Sequence, residues 1–161
     1  MIDTTDRKLL AALQRDARVS NAELARMVGL APSAVFERVK KLEQRGLIAG
    51  YAARLDPRAL GASLLAYVFV RSDEHAGKLG IAKRLAAIPE VQEVHHVAGE
   101  DCYLIKVRTA NTESLGALLR EKIGAFAAVR STRTTIVLDT VKETLAIPVP
   151  AASKEGRRGR R

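Results

Sequence analysis

The 161-residue chain has a single cysteine, no tryptophan, three tyrosines and three phenylalanines. One cysteine excludes an internal disulfide and any zinc site built from cysteine pairs. Aromatics make up only 4% of residues, so a core must come from the Leu, Val, Ile and Ala that dominate a hydrophobic share of 47%. No apolar run approaches the roughly 18 residues of a membrane-crossing helix. The opening Ile2-Asp3-Thr4-Thr5-Asp6 has neither the basic nor the apolar character of a secretory leader. Together these absences predict a soluble, cytoplasmic protein without membrane contact. His95 and His96 are neighbours in a predicted strand and so point to opposite faces, while His75 belongs to another segment. No metal site and no cofactor are therefore expected. No Ser-His-Asp set, paired carboxylates or Gly-rich phosphate loop fits the pattern, so nothing supports an enzyme.

What the chain does have is positive charge, unevenly placed. The net charge is +9, of which residues 1–60 carry +4, residues 61–147 carry +1 and the last fourteen carry +4. A nearly neutral middle with basic ends points to an anionic partner, most often nucleic acid.

Local signals in the first fifty residues predict three short helices. Asp3 caps a helix from Thr4 to about Arg15, with Leu9, Leu10 and Leu13 on one face. Ser20 and Glu23 have the spacing of a capping box, and Gly29 ends the brief helix that follows. Pro32 suits the first position of a third helix running to Arg45, with Val35, Val39 and Leu42 inward. Two helices joined by a short Gly-containing turn are a helix-turn-helix, here at about residues 20–45. Its second helix presents Ser33, Ala34, Glu37, Arg38, Lys40, Lys41 and Arg45 outward, a face suited to double-stranded DNA. Ser33 and Ala34 are small enough to let bases approach, and Arg38 is placed to reach a guanine edge or a phosphate. Lys40, Lys41 and Arg45 suit phosphates, and Ser20 and Asn21 suit the backbone at a helix N-terminus.

Residues 51–61 read as a linker strand and hinge. From residue 62 to 145 the pattern is βαββαβ, with strands at about Ser63–Arg71, Val91–Ala98, Cys102–Arg108 and Val129–Val141. The helices fall at Glu74–Ile88, with Leu79, Ala82, Leu85 and Ala86 on one face, and at Thr112–Phe126. The fold class is α+β: a winged-type helix-turn-helix domain followed by a ferredoxin-like domain. A four-stranded sheet with helices on one face leaves Leu65, Tyr67, Phe69 and Ile105 facing water unless a second copy covers them. Residues 146–161, rich in Pro, Gly and Arg, are expected to be disordered.

The chain resembles the Lrp/AsnC, or feast/famine, regulators from about Ile2 to Lys142. The resemblance is carried by Asp6-Arg7-Lys8-Leu9-Leu10, Arg18-Val19-Ser20-Asn21-Ala22-Glu23-Leu24, Val28-Gly29-Leu30 and Glu37-Arg38-Val39-Lys40-Lys41-Leu42. It continues in Gly46-Leu47-Ile48, Gly50-Tyr51, Ala98-Gly99-Glu100 and Thr132-Arg133-Thr134. It implies a sequence-specific DNA-binding transcriptional regulator that dimerises, commonly builds octamers and responds to an amino acid or related small molecule. An architectural protein coating duplexes with little base readout is the alternative. The resemblance further implies an effector site between dimers at Gly99, Glu100, Asp101 and Cys102, faced by His96, Thr112, Thr135 and Ile136. Two positions depart from the family pattern: Cys102 stands where many relatives carry a second carboxylate, and Ala31 where relatives often carry a capping Ser.

Overall fold

The computed structural model describes residues 2–74 and 80–150. Two compact units emerge: one runs up to Arg54 and includes the segment from Glu143, and the other is Leu55–Lys142.

In the first unit each helix begins where the local chemistry requires. Helix α1 (Thr4–Arg15) opens with a reciprocal cap, in which the Asp6 amide donates to Asp3 Oδ1 at 2.7 Å and the Asp3 amide donates to Asp6 Oδ2 at 3.2 Å. Helix α2 (Asn21–Val28) opens with the Ser20–Glu23 capping box and closes on Gly29, whose φ of 71° is the left-handed region that glycine enters without penalty. Helix α3 (Pro32–Gln44) starts with proline at its first turn, but Ala31 gives it no side-chain cap. Leu9, Ala12, Leu24, Ala25 and Val35 form one buried cluster, against which Leu13, Val19, Val28 and Val39 pack. Removing one such leucine costs about 2–5 kcal/mol, so this small cluster fixes how the three helices cross.

Residues 146–150, expected to begin a disordered tail, are instead held against α1. Gln14 Nε2 donates to the Ile147 carbonyl at 2.7 Å, and the Ile147 amide donates to Gln14 Oε1 at 2.8 Å. Arg7 donates to the Pro150 carbonyl at 2.8 Å. One glutamine amide satisfies both backbone groups of one residue, a pairing that composition could not reveal. Residues 151–161 lie outside the described residues.

The second unit follows the βαββαβ order: β1 (Leu64–Ser72), α4 (Gly80–Ala86), β2 (Val91–His96), β3 (Tyr103–Thr109), α5 (Thr112–Ala117) and β4 (Val129–Ile136). The strands lie in the order β2-β3-β1-β4, all antiparallel, as in a ferredoxin-like sheet. Alternation along β1 and β3 buries Ala66, Val68, Val70, Tyr103, Ile105 and Val107 beneath Ile81, Leu85, Leu115, Leu118 and Ile123. Helix α4 is described from Gly80, and the turns expected over residues 75–79, including Leu79, lie outside the described residues. Two other features differ from expectation. Helix α5 widens into a π-helical stretch over Leu118–Ile123, which ends with the Gly124 amide donating to the Leu119 carbonyl at 2.8 Å. A Cβ on Gly124 would stand 2.9 Å from that same oxygen, so only glycine fits the close. Finally, residues 47–63 contain no strand, and neither a wing nor a linker strand forms there. An extended segment becomes a strand only when a second backbone answers its amides and carbonyls.

The uncapped start of α3 yields a prediction. Ala31 already has the extended backbone of a cap residue, φ −69° and ψ 146°. Ala31→Ser should therefore stabilise the protein by about 1 kcal/mol, read as a raised urea midpoint. No change would mean that Pro32 alone satisfies this helix end.

Candidate nucleic-acid interface and effector turn

Helix α3 divides into two faces. Val35 and Leu42 are buried, whereas Ser33, Ala34, Glu37, Lys40, Lys41 and Arg45 are exposed. Among the described residues the side chains of Ser33, Glu37, Lys40 and Lys41 engage no hydrogen bond or ion pair. Ser20 is occupied by its own helix, accepting from the Glu23 amide at 3.2 Å and donating to Glu23 Oε2 at 2.9 Å. The Ser20 amide, first among its partners, holds the Glu23 carboxyl below its ordinary range. Asn21 is the exposed first residue of α2.

Arg38 does not stand with the outward residues. Its Nη1 donates to Asp3 Oδ2 at 2.7 Å and to Asp6 Oδ1 at 2.8 Å, joining α3 to the cap of α1. Arg38 thus engages Nη1 within the protein, and the expected guanine or phosphate contact would fall to its other nitrogens. The inward contact follows from helical geometry, because Arg38 sits three residues after buried Val35 and four before buried Leu42, on the inner half of α3. A cleft of about 280 Å³ lined by Asp6, Arg38, Lys41, Leu42 and Arg45 opens beside it. The Asp6 amide, and secondarily Arg38, hold the Asp3 carboxyl below its ordinary value, while the two carboxylates raise Arg38. Beyond the helix, Tyr51 donates to Glu43 at 2.8 Å. Burial, reinforced by that carboxylate, pushes the Tyr51 hydroxyl up to about 12. Phe36, absent from the expected contact set, projects from α3 with 51% of its surface exposed.

In the second unit the expected effector residues separate into two groups. Gly99, with φ 124°, and exposed Glu100 form the turn between β2 and β3. Asp101 accepts from Arg133 Nη2 at 2.9 Å, and the Cys102 thiol donates to the Ser72 carbonyl at 3.3 Å at the edge of the core. His96 packs against Tyr103 with ring centroids 5.3 Å apart and planes tilted by 39°. Tyr103 itself donates to Glu74 at 3.3 Å, and burial, then that carboxylate, raises its pKa. Thr112 follows the far end of β3, whereas Thr135 and Ile136 lie level with the middle of β3, two strands across the sheet. Thr135 pairs with Tyr67 and Ile136 with Ala66, whereas the turn adjoins Tyr103, which pairs with Val70. The seven residues of β3 separate Thr112 from the turn by about 20 Å. Thr135 is nearer, two residues beyond the Arg133 that reaches Asp101.

The open face of the sheet also differs from expectation. Ile105 is fully buried on the helix side, and Leu65 is only 6% exposed. Tyr67, Phe69 and Leu104 remain half-buried on the uncovered face. The Arg133 guanidinium lies 4.0 Å over the Phe69 ring. Glu93 receives Lys106 at 3.2 Å and lies 3.2 Å from His95 Nε2 on the same side.

A helix-turn-helix unit with an exposed basic strip, joined to a ferredoxin-like unit with one open face, defines a two-part DNA-binding regulator. The AsnC-type helix-turn-helix domain model matches residues 2–43, and the Lrp/AsnC ligand binding domain model matches residues 65–147. The chain belongs to the Lrp/AsnC family of transcriptional regulators. It is 39% identical to the HTH-type transcriptional regulator FL11 of Pyrococcus horikoshii over 92% of this chain and 97% of that protein. It is 40% identical to the leucine-responsive regulatory protein of Salmonella typhimurium over 88% of each chain. Among solved structures it is similar to the feast or famine regulatory protein of M. tuberculosis complexed with L-methionine. That match has a TM-score of 0.85 and 39% identity and covers 93% of this chain and all of that one. No helix among the described residues is long and apolar enough to cross a membrane.

Replacing Arg38 tests its part. Arg38→Met strands the buried Asp6 carboxylate, so stability should fall by about 1–3 kcal/mol, and binding to all duplexes should weaken alike. Because the folded state lowers the Asp3 pKa, its stabilising contribution exists above the ordinary value of 3.8 and disappears as pH falls through the lowered one. In Arg38→Met the Asp3 carboxyl, followed by NMR titration, should rise part of the way towards 3.8, since the Asp6 amide still donates. Wild-type stability with a loss confined to one base position would return Arg38 to base reading.

Proposed function

We propose that α3 enters the major groove of its operator with Ser33, Ala34 and Glu37 nearest the base edges. Lys40, Lys41 and Arg45 then face phosphates, while Ser20 and Asn21 bring the α2 N-terminus to the backbone. The observation that carries this reading is the exposed, unpaired strip Ser33–Glu37–Lys40 on a helix whose opposite side is locked into the core. Two copies joined across the open sheet face, through Tyr67, Phe69 and Leu104, would present two such helices to two half-sites. Further pairing of dimers would build an octamer.

Salt titration on two duplexes tests the DNA reading: one enriched from a random pool by the protein, the other scrambled. Base contacts should keep a gap of roughly a thousandfold or more between them at every salt concentration. Equal affinities and equal slopes would leave phosphate contacts alone.

The effector reading concerns an amino acid, as in the relative complexed with L-methionine. The amides around Gly99 suit an α-carboxylate, and exposed Glu100 suits an α-ammonium group. Asp101, already paired with Arg133, is the weaker candidate for that charge. Thr112, at the far end of β3, would reach such a ligand from another copy together with Thr135 and Ile136, in a site between chains. A thermal-shift screen of the twenty amino acids should find at least one stabilising ligand. Its shift should vanish in Glu100→Ala, with duplex binding retained. A shift that survives the substitution would remove Glu100 from the site.

A further inference from the structure

Phe36 is a large apolar ring with no place in the core. It is 51% exposed, although the adjacent Val35 is fully buried. It takes no part in the cluster that holds α1, α2 and α3 together. At about 100° per residue, Phe36 lies roughly 200° around α3 from Arg38. The bonds from Arg38 to Asp3 and Asp6 turn that side of the helix towards α1, which leaves Phe36 on the opposite side. Its neighbours one turn away are exposed Ser33 and Lys40 on one side and Pro32 and half-buried Val39 on the other, so the ring stands where the polar strip meets the core, with about half of its surface open to solvent.

A face that enters a duplex groove meets almost only hydrogen-bonding groups. On the floor of the major groove the one apolar group is the C5-methyl of thymine, and phenylalanine is among the side chains that contact it. We infer that Phe36 reads a thymine methyl in the major groove, a specificity contact that depends on the DNA-binding reading above. Lys40, one turn further on, suits the neighbouring phosphate and would hold the ring at the depth of the methyl. The ring donates and accepts no hydrogen bond, so it selects thymine over cytosine by the methyl alone.

Removing only that methyl tests the assignment. Full-length protein is used to enrich a duplex from a random pool, and each thymine is then replaced singly by deoxyuridine. Burial of one methyl corresponds to about 0.8 kcal/mol, or roughly fourfold in affinity. Wild-type protein should lose about that factor at one thymine in each half-site. Phe36→Ala should bind the thymine duplex correspondingly more weakly and no longer distinguish it from the deoxyuridine duplex, whereas Phe36→Leu should retain part of the discrimination. Tight binding with no preference at any thymine would overturn the assignment while sparing the DNA reading; absence of duplex binding at low salt would overturn both. A Phe36→Ala protein that still discriminates would also overturn it. So would one that loses affinity equally on both duplexes and changes assembly state in sedimentation, because the ring would then serve a protein contact.

Discussion

The buried cluster sets how α3 crosses its neighbours, and at one flank Arg38 Nη1 ties it to two carboxylates at the start of α1. Asp3 and Asp6 are already bound to each other's amides as a helix cap, so they arrive as a rigid, doubly negative pair. A guanidinium matches such a pair better than an ammonium, because its planar donors are fixed and remain charged at any relevant pH. Asp6 is 7% exposed, and burying a carboxylate without a cation is costly, so the contact is sensitive to the loss of either partner. By fixing one side of α3, the cluster and this tie also fix what the other side offers to solvent. Ser33, Phe36, Glu37 and Lys40 are presented outward for the same reason that Arg38 is not.

Local features of this arrangement were legible in the sequence. Ser20 with Glu23, Gly29 and Pro32 each act within one helical turn, and each is used as its residue type predicts. Contacts across the fold were harder to read. Arg38 was grouped with the outward cations because of its charge, although its spacing from Val35 and Leu42 already placed it inward. Phe36 carries neither charge nor hydrogen-bonding group, so the polar pattern of the helix does not mark it. In β3, Lys106 and Arg108 mark the solvent parity, which puts Ile105 under the helices and Leu104 on the open face. The segment at 146–150 carried no readable signal, since the protein holds it through the backbone of Ile147 and Pro150.

The open sheet face is less apolar than a strand count suggests. Arg133 covers Phe69 while reaching Asp101, and Lys106 spans to Glu93. A lone chain thus shields part of this surface with its own charges, which moderates the penalty of exposing it. The same charges limit which surfaces can dock there, because a partner that leaves a buried cation or carboxylate unpaired loses several kcal/mol. A second copy would meet this requirement only where the twofold sets a cation of one chain against a carboxylate of the other, each such contact then occurring twice.

The effector turn shows why such pairing would matter for regulation. Glu100 and Gly99 lie at one end of the sheet, and Thr112 lies about 20 Å away along β3, a distance that no single small molecule spans. In the proposed arrangement a ligand therefore touches two chains, and its binding energy is realised only when those chains meet in one geometry. A ligand shifts a conformational equilibrium only by the difference between its affinities for the competing states. A site split between copies provides that difference directly, because an assembly that separates the halves cannot bind. The departure at Cys102 fits the same logic: its thiol is turned to the Ser72 carbonyl at the core edge, leaving Glu100 as the exposed carboxylate of the turn. Selectivity in this chain would then rest on Glu100 and on whatever the second copy brings, and not on a pair of acids within one loop.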